Sequence, residues 1–136
     1  MRVIGTFEVL SGSEEAIREA EGEPRLAHAS GTQRFSGGIE SDGAIDWLMC
    51  YLPGGGARFV GLQRITGSVG ARTGSFVMEA IGDHDGRQST ARWRIIAGSG
   101  SGELTGITGT GSFHAPGGRT ASYELEFELG ESANGV

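Results

Sequence analysis

The chain has 136 residues, of which 26 are Gly, 37% are hydrophobic and 21% are charged; that length allows one domain, and glycines interleaved with Val, Ile, Leu, Phe and Trp exclude a disordered linker. All 11 basic residues are Arg, against 17 acidic ones, for a net charge of −6. An acidic surface without a basic run lacks the counterion-release term behind nucleic-acid affinity, and the absence of Lys excludes Schiff-base and P-loop lysine chemistry. Neither nucleic acid nor membrane is expected as a partner, because no apolar run nears the ~18 to 20 residues of a spanning helix. The start, MRVIGTFEVL, is too brief for the n- and h-regions of a secretory signal, and Cys50 is alone, so a cytoplasmic chain is expected.

Along the chain, alternating segments recur between Gly, Pro, Asp and Ser clusters and read as eight strands, at roughly 2–10, 25–36, 43–52, 57–67, 73–82, 88–97, 102–113 and 120–129. Between the first two, SGSEEAIREAEGEP offers one short helix, with Ser11 or Ser13 as its cap and Gly22 and Pro24 as its stop. The segments PGGG, SVGAR, DHDG and APGG read as hairpin turns. Eight antiparallel strands with no helix to cover a face imply an all-β fold, either a sandwich or an eight-stranded barrel. The expected domain spans 1–129, with a flexible tail over 130–136.

Charged residues point to water and side chains alternate along a strand, so charges assign the opposite face to the interior. Glu8, Arg34, Asp46, Arg58, Arg64, Arg92 and Arg94 outside place Phe7, Val9, Gln33, Phe35, Ile45, Trp47, Met49, Tyr51, Phe59, Gln63, Ile65, Trp93 and Ile95 inside. In SYELEFEL, Glu124, Glu126 and Glu128 leave Tyr123, Leu125, Phe127 and Leu129 inside. Glu79 is ambiguous by itself. A two-residue turn at Gly70 and Ala71 sets Gln63 opposite Met78 and Ile65 opposite Phe76, with Glu79 outside beside Arg64; a three-residue turn reverses this. Every aromatic residue except Phe113 then faces inward.

The motifs are weak as chemistry. The glycine-rich run at 97–113 has no helix after it, so it reads as bends in a curled sheet and not as a phosphate loop. Asp83, His84 and Asp85 could contribute metal ligands, but Asp and Gly are also turn formers and the turn reading is preferred. Cys50 falls on the outer face with Leu48, and no Ser–His–Asp arrangement or inward carboxylate pair is present. No metal, cofactor or covalent nucleophile is expected.

GTFEV at 5–9, RFSGGIE at 34–40, FVGLQRITGSVGARTGSFVME at 59–79 and GSGSGELTGITGTGSF at 98–113 resemble the corresponding blocks of a bacterial domain family of unknown function. That resemblance implies an allene oxide cyclase-like barrel, a calycin-type cup. It departs from the family pattern in two places, with Ala80 where relatives carry His and no His near Thr120 or Ala121.

Three functions remain. In the first, the barrel binds a hydrophobic small molecule and acts as a cyclase or isomerase on a polyketide- or lipid-derived substrate, with Gln63, Tyr51 and Tyr123 polarising a carbonyl. Phe35, Trp47, Met49, Phe59, Phe76, Met78, Trp93 and Phe127 would line its substrate site. In the second it is a non-catalytic carrier or sensor of an apolar metabolite. In the third the rings simply fill the barrel. Outward Leu48, Cys50, Val60 and Leu62 also predict a homodimer or higher oligomer.

Overall fold

The computed structural model describes residues 1–130. Nine strands occur there: β1 (Arg2–Arg18), β2 (Arg25–Gly37), β3 (Ile39–Tyr51), β4 (Ala57–Val69), β5 (Arg72–His84), β6 (Ser89–Ile95), β7 (Ser101–Gly102), β8 (Thr108–Ala115) and β9 (Thr120–Glu128). Eight of them form a closed antiparallel barrel in the order β1-β2-β3-β4-β5-β6-β8-β9, with β9 pairing back onto β1, and β7 adds two residues to the edge of β5. No helix among the described residues is long and apolar enough to cross a membrane. The tail expected over 130–136 lies outside the described residues from 131 on.

The turn at Gly70 and Ala71 has two residues, and Gly70 takes φ +62°, where a side chain would be strained. Gln63 therefore pairs with Met78, Ile65 with Phe76 and Leu62 with Glu79, so Glu79 points outward as the register argument requires. Its partner is Arg94 of β6 at 3.7 Å, not Arg64, because Arg94 lies directly opposite on the neighbouring strand.

Three expectations are corrected. Residues 11–18 form no helix; β1 continues through them and pairs with β2 as far as Arg18 and Leu26. Helix propensity in SEEAIREAE yields there to β2, which offers a full ladder of partners and side-chain bonds such as Ser11 Oγ to Thr32 Oγ1 at 2.6 Å. Secondly, 102–113 is not one strand. Leu104 and Ile107 fold across the end of the barrel and are fully buried, so residues 103–107 form a turn and the wall resumes at Thr108. Thirdly, Phe113 lies inside, in register with Ala91 and Tyr123, and is buried.

The two ends of the barrel differ. One is plugged by Ile39, Val69, Leu104 and Ile107, all buried. At the other, β1 runs on past the start of β9, still paired with β2 in a wall that continues through β3, β4 and β5, and inward-facing Val9, Trp47, Met49 and Ala115 are only half-buried.

Candidate open-end binding site

Aromatic rings occupy the interior. Phe7 lies 4.9 Å from Phe35 and 5.2 Å from Phe113 between ring centroids. Trp93 packs on Phe7, Phe35, Phe113 and Tyr123. Trp47 stacks on Phe59 at 4.6 Å and on Phe113 at 6.0 Å. Its indole lies over Gly61, where a Cβ would clash with the Asp46 carbonyl and Trp47 Cα as well as Trp47 Cδ1; any other residue at 61 would force the β3 backbone, and Trp47 with it, to shift.

The polar groups among these rings are placed as follows. Gln63 is fully buried; its Nε2 donates to Gln33 Oε1 at 2.9 Å, and its Oε1 accepts from Trp93 Nε1 at 2.8 Å. Neither Tyr51 nor Tyr123 reaches it. The Tyr123 hydroxyl sits at the plugged end, where it accepts from Ile39 N–H at 2.8 Å and donates to the Ser36 carbonyl at 2.9 Å. Burial pushes its phenol above the ordinary tyrosine range. Tyr51 stands at the rim of the open end. It donates to Glu14 Oε2 at 2.8 Å, and the Arg25 guanidinium lies 4.3 Å from its ring centroid and 3.6 Å from Glu14. Burial first, then the Glu14 carboxylate, raise this phenol too.

The three residues predicted to act on substrate are therefore not brought together. Of the predicted lining, Phe35, Phe76, Met78, Trp93 and Phe127 are buried in the packed interior, and Phe59 is buried beneath Trp47. Trp47 and Met49 alone are half-exposed at the open end. Sequence reading missed Phe113, which underlies Trp47, and the rim made by Glu14 and Arg25.

Trp47 Nε1 is buried with no hydrogen-bond acceptor on the protein. Gln33 Nε2 and Ser41 Oγ share that condition. A buried donor without a partner costs roughly 1–3 kcal/mol, and Trp47 is the one whose side chain is half-exposed.

The outer wall over β6, β8 and β9 is polar by comparison. Clefts of about 680 Å³ run across β5, β6, β8 and β9, lined by charged groups including Arg92 and Glu124. At the turn after β5, Asp85 Oδ1 accepts from the N–H groups of Arg87 and Gln88 at 2.9 and 2.8 Å, which holds its carboxyl below the usual range. Asp83, paired with Arg58, and His84, paired with Ser89, are the last residues of β5, so the turn expected at DHDG begins only at Asp85 and runs to Gln88.

A family model described as a protein of unknown function, DUF3224, matches residues 3–127. The chain belongs to the DUF3224 family. Among solved structures, a DUF3224 protein of unknown function from Shewanella oneidensis MR-1 is similar at 26% identity, with 96% of this chain and 98% of that one covered and a TM-score of 0.80. No curated protein matches the chain. In this DUF3224 member, Ala80 faces the interior between Gly61 and Trp93. A His there would enter the ring cluster.

Proposed function

We propose that this DUF3224 barrel binds a small apolar molecule carrying a hydrogen-bond acceptor at its open end, as a carrier or sensor. The supporting observation is Trp47: partly exposed, stacked on Phe59 and Phe113, and holding a buried N–H that nothing on the protein accepts. A ligand carbonyl placed against that edge recovers the cost of the lone donor, and the rings supply apolar area. Met49, unbranched and half-buried beside it, is the side chain best able to move aside. With a single cysteine and an acidic charge balance, we place this activity in the cytoplasm.

The cyclase or isomerase reading rests on the resemblance to allene oxide cyclase-like barrels, where ring closure is directed by shape. It is the weaker one here, since the polar atoms of Gln63 and Tyr123 are engaged within the protein and Tyr51 lies at the rim.

Titration of tryptophan fluorescence with a series of apolar ketones and alkanes of matched length tests the proposal. Saturable quenching by the ketones is expected, about tenfold weaker for the alkanes, lost in Trp47→Phe, with the ketone recovered chemically unchanged. No saturable response, or one that survives Trp47→Phe, would overturn it; conversion to an isomer would favour the cyclase.

A further inference from the structure

The outer wall of β2 to β5 carries apolar side chains where a solvent-facing strand pattern normally places polar ones. Leu26 and Cys50 are register partners. One level along, Leu48 pairs with Val60 and Val60 with Ile81; on the next level Leu62 lies between Asp46 and Glu79. Leu48 is 55% exposed, and Val60 and Leu62 are each 47% exposed. A shallow groove of about 510 Å³ runs over Ile17, Leu26, Leu48, Cys50, Val60 and Ile81. These side chains expose roughly 500 Å² of apolar surface, near the top of the ~300–600 Å² range for the largest patch on a monomer.

Most charges around the patch are already paired within the chain, His28 with Asp46 and Arg58 with Asp83 at 3.0 Å, and Arg94 with Glu79 at 3.7 Å; Arg92, beside Ile81 at its edge, has no carboxylate partner among the described residues. The face thus presents apolar area with little charge of its own. An anionic lipid surface is a poor occupant for a chain of net charge −6.

The geometry points to a second copy of this chain as the occupant, in a two-fold dimer with the β2–β5 walls face to face. Such an interface joins the same patch on both copies, and two sheets pack this way through their facing side chains. A two-fold axis through Val60, whether along β4 or across the strands, sets Val60 against its own counterpart and lays the row of Leu48, Val60 and Ile81 over the same row of the other copy. The pooled apolar area of about 1,000 Å², with the polar rim added, reaches the ~1,200–2,000 Å² of specific interfaces.

Light scattering of the full chain is expected to give twice its 14.1 kDa mass. Val60→Asp should give monomer at the same concentration with an unchanged far-UV circular dichroism spectrum, since Val60 points to solvent in the single chain. Val60→Cys on a Cys50→Ser background should form a disulfide-linked dimer under mild oxidation. Leu48→Asp should weaken the dimer about tenfold or more, and Arg119→Glu, in the loop between β8 and β9, should not. A chain that stays monomeric at its highest soluble concentration overturns the proposal, whether or not it captures vesicles or another protein. So does a dimer that Val60→Asp or Leu48→Asp leaves intact.

Discussion

The two tryptophans occupy the same kind of position, inward on a barrel strand among phenylalanines, yet their surroundings are opposite. Trp93 is buried, and its N–H ends in a chain of amides through Gln63 to Gln33. Trp47, toward the open end, stacks as closely on its neighbours but its N–H ends on nothing. A polar group in a packed interior is kept either because the protein completes it or because something else does. Each ring system thus leaves one donor over, Gln33 Nε2 at the end of the amide chain and Trp47 Nε1 itself, and what separates them is access: Gln33 is buried, whereas Trp47 is only partly so.

The sharpest break in this comparison is Gln63→Leu. It leaves Gln33 Oε1 and Trp93 Nε1 buried without partners, and a loss of about 2–4 kcal/mol is expected by chemical denaturation. A variant as stable as the parent would show that the amide chain contributes nothing to the fold. A smaller, paired effect tests the two rings directly. Trp93→Phe should cost about 1–3 kcal/mol, because Gln63 Oε1 loses its donor, whereas Trp47→Phe should cost less than about 1 kcal/mol, because a lone donor is removed with the ring. Equal losses would erase the distinction.

The smallest effect is electrostatic and belongs to the turn after β5. Asp85 is held below its ordinary range by two backbone N–H groups. Its contribution to stability is therefore present above about pH 4, the unfolded value, and is lost as pH falls through the lower folded value. The melting temperature of the parent should accordingly fall more steeply below about pH 4 than that of Asp85→Asn. Parallel acid profiles would remove Asp85 from the account.

How much of this is readable in the sequence depends on the kind of information required. Parity places Tyr123, Leu125 and Phe127 inside because three glutamates alternate with them, and it places Gln63 inside because Arg58 and Arg64 flank it on the same strand. It names a face but no distance across the barrel. The bond from Gln63 to Gln33 joins β4 to β2 over the interior, past β3 between them, and alternation along one strand carries no such distance. Phe113 escaped because its strand was drawn from residue 102. The chain leaves the wall at 103–107, so alternation counted from the wrong end carries no information there. The far half of β1 reads as a helix because SEEAIREAE has strong local propensity, and only its pairing with β2 reveals the competing ladder.

The seam between β1 and β9 has a consequence in time. From β1 to β5 the barrel is a meander in which each strand pairs with the next, through short connections. Closure instead joins Arg2 to Glu126 and Glu8 to Thr120, the most distant pairings in the chain. Contacts of that separation are slow to form, since the chain entropy of the intervening loop is lost before they return any stabilisation. The meander therefore precedes the seam, and until the seam shuts, an open, curved sheet presents its aromatic face to water. Substitutions along β9 that weaken only this last pairing prolong that interval, so they act on yield and aggregation during refolding more than on the properties of the finished barrel.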